Sequence, residues 1–140
     1  MARRGVPLER ILRVRTLQLG LVRAEEAQAN ERLASETALR ERIAQLAANV
    51  APEAERAGAF TLMAAAHYRE RLNQSAQAAV ARERHAAQGV EQAAQATLEA
   101  KRDQTAVEKL IARREAVAAI KEMRALEEAS PTKRVRHDPC

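Results

Sequence analysis

The chain has almost no aromatic side chains. Phe60 and Tyr68 are the only two in 140 residues, and there is no tryptophan. Alanine supplies 33 residues instead. An alanine side chain buries little area, so the 46% hydrophobic fraction overstates the material available for a compact core. Cysteine is equally scarce: Cys140 stands alone. That excludes an intrachain disulfide and a cysteine-built metal site, and it fits a reducing compartment. Its place also fails the prenylation box, in which the cysteine sits fourth from the end. The four glycines, Gly5, Gly20, Gly58 and Gly89, are isolated from one another, so there is no phosphate-cradling loop. No apolar run approaches the length of a membrane span. The first residues carry Arg3, Arg4, Arg10, Arg13 and Arg15 without the uninterrupted apolar stretch of a secretory signal. A soluble cytoplasmic protein is the expectation.

What is present is helix-forming material. Between Pro52 and Pro131 there is no proline, and the stretch is built from Ala, Gln, Glu, Arg, Lys and spaced aliphatics. A helix over residues 60–128 would be roughly 100 Å long, against about 30 Å across for a compact domain of this size. Such a helix must lie along another. Pro7 suits a first helical turn. From there a line of heptad spacing runs through Leu8, Leu12, Arg15, Leu19, Val22, Glu26, Ala29 and Leu33. Leu39, Ile43, Leu46 and Val50 resume at the same spacing but out of step, which predicts a discontinuity after Leu33. Asn49 and Pro52 end this helix, and Gly58 permits a reversal.

The predicted fold class is therefore all-α: a long two-helix antiparallel coiled-coil hairpin whose second helix is longer and overhangs. Residues 1–7 form a basic arm, 8–48 the first helix, 49–59 the turn, 60–128 the second helix and 129–140 a disordered basic tail with Lys133, Arg134 and Arg136. Folding the helices back from the turn predicts Leu8 opposite about residue 99. Residues 103–128 would then project, leaving Val107, Leu110, Ile111, Val117, Ile120, Met123 and Leu126 without an intrachain partner. A bare apolar stripe of that kind is a binding surface or an aggregation hazard, and a binding surface is the expectation. The same register sets the basic arm beside Lys101 and Arg102.

The chemistry of catalysis is missing. His67, His85 and His137 are far apart, and the adjacent pairs Glu25-Glu26 and Glu127-Glu128 point in different directions on a helix. A two-helix coil offers no dry, enclosed pocket. No catalytic, cofactor-binding or metal-binding residue is assigned, and neither a cofactor nor a small-molecule ligand is expected. The formal charge of +5 and pI of about 10.1 raise nucleic acid as a partner. Cations interleaved with Glu, and the lack of aromatic platforms, argue for a solvated helical face, so none is expected.

Two stretches resemble a known family. One is Tyr68-Arg-Glu-Arg-Leu72, an aromatic-x-x-x-Leu opening of a long helix after a Pro- and Gly-containing turn. The other is Leu110-Ile-Ala-Arg113, followed by a charged helix ending in Glu127-Glu128. In layout and separation they resemble the FliJ family of the flagellar type III export apparatus and its YscO-type counterparts in virulence secretion. The resemblance implies a stalk-like protein that binds the hexameric export ATPase and promotes its assembly and activity. It also implies contact with the export gate membrane protein, exchange with export chaperones, and a cytoplasmic place at the inner-membrane export apparatus. Under it, candidate ATPase-binding residues are Leu8, Leu12, Val107, Leu110, Ile111, Val117, Ile120, Arg3, Arg4, Arg10 and Arg13. Tyr68, Leu72, Ser75 and Ala79 are candidates for the gate. The free protein would be a monomer. Competing readings are a homo-oligomerising coiled-coil scaffold and a basic helical protein that coats nucleic acid. The residues do not separate a flagellar from a virulence system, nor name a chaperone or cargo.

Overall fold

A computed structural model describes residues 6–49 and 58–129 of the chain. The basic arm through residue 5, residues 50–57 of the turn, and the tail from residue 130 lie outside the described residues, Arg3 and Arg4 among them. Two helices account for nearly all the rest: α1, Val6–Asn49, and α2, Ala59–Glu128. The expected fold class is the observed one, two long helices packed against each other with no strand among the described residues. The boundaries fall within two residues of those read from the sequence. Pro7 sits in the first turn of α1, and the Gly58 carbonyl opens α2 by accepting the N–H groups of Thr61 and Leu62 at 2.9 and 3.1 Å. Gly20 and Gly89 lie inside the helices with ordinary negative φ.

By compactness the chain divides into two units, Leu17–Lys101 and a terminal unit made of Met1–Thr16 with Arg102–Cys140. In the first, the helices are antiparallel. Arg82 Nε donates to Glu36 Oε2 at 3.2 Å, and the Thr37 hydroxyl donates to Glu83 Oε1 at 3.0 Å. Arg40 Nε is 3.1 Å from Glu83 Oε2, out of line for a hydrogen bond. The residue numbers in these pairs add to about 120, and that sets the register.

Buried and half-buried residues then fall into layers at alternating three- and four-residue steps. The register sets Leu19 opposite Ala100, Val22 opposite Thr97, Ala29 opposite Val90, Leu33 opposite Ala86, Arg40 opposite Ala79 and Ile43 opposite Ala76. Large faces small in most layers. Ala79 is fully buried and Leu19 is 3% exposed. Arg40 stands opposite Ala79 in this register, and its head group reaches Glu83.

This seam contradicts the discontinuity expected after Leu33. Glu36, Arg40 and Ile43 continue the line without a break, and Leu39 and Leu46 are exposed. The reason is electrostatic. Glu36 and Arg40 can occupy seam positions because Arg82 and Glu83 meet them from α2. Hydrophobicity alone selected the wrong leucines.

The terminal unit is antiparallel too. Arg15 Nη1 donates to Asp103 Oδ2 at 2.9 Å, Gln104 Nε2 donates to the Thr16 hydroxyl at 3.2 Å, and Arg114 Nη2 donates to Glu9 Oε1 at 3.5 Å. Leu8 therefore lies opposite Ile111, and Leu12 opposite Val107. The expected pairing of Leu8 with about residue 99 is corrected. So is the expected overhang of 103–128: within this unit α2 outruns α1 only over residues 115–128, all of them exposed. Arg15 faces Asp103, not a cluster of further cations. Pairing of the helices does not begin at the turn. In the Leu17–Lys101 unit, residues 59–71 of α2 are exposed apart from half-buried Ala65, and the continuous seam opens only at Leu72.

Two outcomes are expected. Ala79→Leu overfills a layer with no spare volume and lowers stability by about 1–3 kcal/mol. The same change at exposed Ala78 stays within about 0.5 kcal/mol. Thermal unfolding followed by circular dichroism distinguishes them. In a Cys140→Ser background, Leu8→Cys with Ile111→Cys oxidises to an intrachain disulfide, and Leu8→Cys with Arg102→Cys does not. Mobility on a non-reducing gel reads the difference.

Candidate docking surfaces

In the terminal unit, the residues proposed for ATPase binding separate into two groups. Leu8, Leu12 and Ile111 are half-buried and Val107 is only 8% exposed. These four close the layers between α1 and α2, so they are spent on intrachain packing. That corrects the expectation that Val107 and Ile111 lack an intrachain partner. Leu110, Val117 and Ile120 are each about half exposed, and Met123 and Leu126 more so. Arg10 and Arg13 are exposed.

The exposed residues are ordered. Ala106, Leu110, Arg113, Val117, Ile120 and Arg124 repeat the three- and four-residue spacing of the seam, one step round α2 from it. Ile11 and Leu110 each precede a seam residue by one position. On antiparallel helices in this register, that sets both on the same flank. Val14 lies just outside Ile11 on α1. Nothing in the sequence alone joins Ile11 and Val14 to Leu110, about a hundred residues away. Only the register does so.

The two flanks of α2 in this unit differ in charge. Arg102, Lys109, Arg113, Lys121 and Arg124 lie on or beside the apolar line, and all are exposed. No ion pair involves any of these five among the described residues. Glu108, Glu115 and Glu122, seven residues apart, form an exposed ridge on the other flank. Between Ala106 and Arg124 one side of the helix is apolar and cationic and the other acidic; the line itself is closed by Asp103, paired with Arg15, at one end and Glu127 at the other.

The residues proposed for the export gate do not form one accessible patch. Tyr68 and Ser75 are exposed, Leu72 is half-buried, and Ala79 is fully buried. Ala79 is withdrawn as a contact residue. The i, i+4, i+7, i+11 spacing of the four is that of a seam, and alternate members face α1.

The Leu17–Lys101 unit carries an open groove of about 740 Å³ lined by Glu25, Arg32, Glu36, Arg82, His85 and Gly89 over an alanine floor. Its charges are of both signs, and Glu36 and Arg82 are already paired. Among the described residues no group of three or more His, Cys, Asp or Glu is placed to hold a metal ion. None of the described helices is long and apolar enough to cross a membrane. Comparison with protein-family models, with curated proteins and with solved structures finds no match to this chain.

Proposed function

We propose that the chain is a non-enzymatic, stalk-like docking protein, and that its partner is the hexameric ATPase of a type III export apparatus. The observation that carries the docking reading is the end of α2. From Glu115 to Glu128 every residue is exposed, and Val117, Ile120, Met123 and Leu126 present large apolar side chains. Solvated helices do not stabilise themselves by exposing such residues in series, whereas a partner that covers them gains burial of about 25 cal/mol per Å². The naming of the ATPase rests on the FliJ resemblance of Tyr68-Arg-Glu-Arg-Leu72 and Leu110-Ile-Ala-Arg113, and on the antiparallel coil that carries them. Contact with the gate and with export chaperones follows from the same resemblance. With Ala79 buried, Tyr68 and Ser75 are the exposed members left for the gate.

The test is direct. Added to the export ATPase of the same organism below its self-assembly concentration, the chain should raise ATP turnover several-fold. Val117→Glu with Ile120→Glu should remove the effect while leaving the helical signal unchanged, since both residues are exposed. No stimulation and no co-elution by the unmodified chain would end the ATPase assignment.

A further inference from the structure

We infer that the apolar and cationic flank of the terminal unit is the seat of a third helix, an amphipathic one contributed by another protein and bordered by acidic residues. The inference rests on reading this end as a docking end. It does not require that the export ATPase be the partner.

The first observation is spacing. Leu110, Val117 and Ile120 of α2, with Arg113 and Arg124 between and after them, follow heptad steps. Ile11 and Val14 of α1 border the same flank. A line of that period accepts a helix knob by knob, as the inner seam already does, and a flat or extended partner would leave alternate positions unfilled. Half of each side chain at Leu110, Val117 and Ile120 is in water, so contact area remains to be covered.

The second observation is charge, and it chooses the occupant. Between Ala106 and Arg124 the charged residues on and beside the line are Lys109, Arg113, Lys121 and Arg124, with Arg10 on α1; the acids at the two ends of the line are Asp103, already paired with Arg15, and Glu127, so the flank is cationic in balance. A second copy docked by this same face around a two-fold axis would bring like charges together, and juxtaposed like charges act against association. The two terminal segments outside the described residues are no better. The arm carries Arg3 and Arg4, and the tail carries Lys133, Arg134 and Arg136 against the one acid Asp138. A helix with aliphatic seam residues flanked by Glu or Asp satisfies both the apolar line and its borders.

A fluorescent peptide of about three heptads, with Leu and Ile at its seam and Glu at the flanking positions, is the probe. Its partner probe has Lys in place of every flanking Glu. Anisotropy with the full-length chain should show the Glu peptide binding at least about tenfold tighter than the Lys peptide, with the difference shrinking as salt is raised. Arg113→Glu with Arg124→Glu should reverse the preference, and Val117→Glu with Ile120→Glu should abolish binding. All four sites are exposed, and circular dichroism monitors folding. Equal binding of the two peptides, or binding of neither, overturns the inference. So does sedimentation of the unlabelled chain as a dimer that Val117→Glu and Ile120→Glu dissolve, because the flank would then join copies of this chain. A chain that binds the Glu peptide but leaves the export ATPase unmoved retires the ATPase assignment alone. Stimulation of the ATPase without peptide selectivity retires this inference alone.

Discussion

Large-against-small layering is the constraint on which the structure depends. Along α1 the seam offers Leu8, Leu12, Leu19, Val22, Leu33 and Ile43, and across much of its length α2 answers with alanine. Helix axes can approach closely where one partner is alanine, and dispersion contacts replace some of the area that bulky pairs would bury. Yet the yield per layer is small. Leu19, Ala79 and Val107 are the described hydrophobic residues that are buried, and of these Ala79 alone is fully so. Stability therefore comes from the number of layers in series, and an alanine seam by itself specifies register poorly, since one alanine fits where another does.

The polar layers supply that specification. Glu36 lies opposite Glu83, an arrangement that repels unless both carboxylates are answered. Arg82 answers one and Arg40 approaches the other, with Thr37 adding a hydrogen bond. Sliding the helices by one heptad would separate these partners and leave half-buried charge unmatched. The pairs are partly exposed, so each contributes modestly to stability. Their larger effect is on the alternatives, as with polar residues at coiled-coil core positions generally. Arg15, Thr16, Asp103 and Gln104 do similar work in the terminal unit.

The elements themselves were plain in the sequence, because strong helix formers between well-placed prolines leave little choice. The α1 seam was legible from Leu8 to Leu33, including Arg15 and Glu26, since its leucines mark the period. Beyond Leu33 the period passes to Glu36 and Arg40, which look like surface residues until Arg82 and Glu83 are brought opposite them. On α2 the seam is mostly alanine on a helix rich in alanine throughout, and nothing in composition separates Ala79, fully buried, from exposed Ala78. Phe60 and Met63 misled in the opposite sense. They are bulky apolar residues at the start of the long helix, yet both are among the most exposed side chains. The exposed apolar flank was half legible: Leu110, Val117 and Ile120 were visible as a stripe. Their separation from Val107 and Ile111, and their junction with Ile11, needed the register.

The acidic ridge on one side of α2 and the cationic border on the other have a consequence of their own. Besides the dipole along its axis, this part of the helix carries one across its width. A charged surface approaching from solution exerts a torque on such an object before any contact forms. Near an acidic partner the helix would roll until Glu108, Glu115 and Glu122 point away, so that its greasy line arrives already facing the right direction.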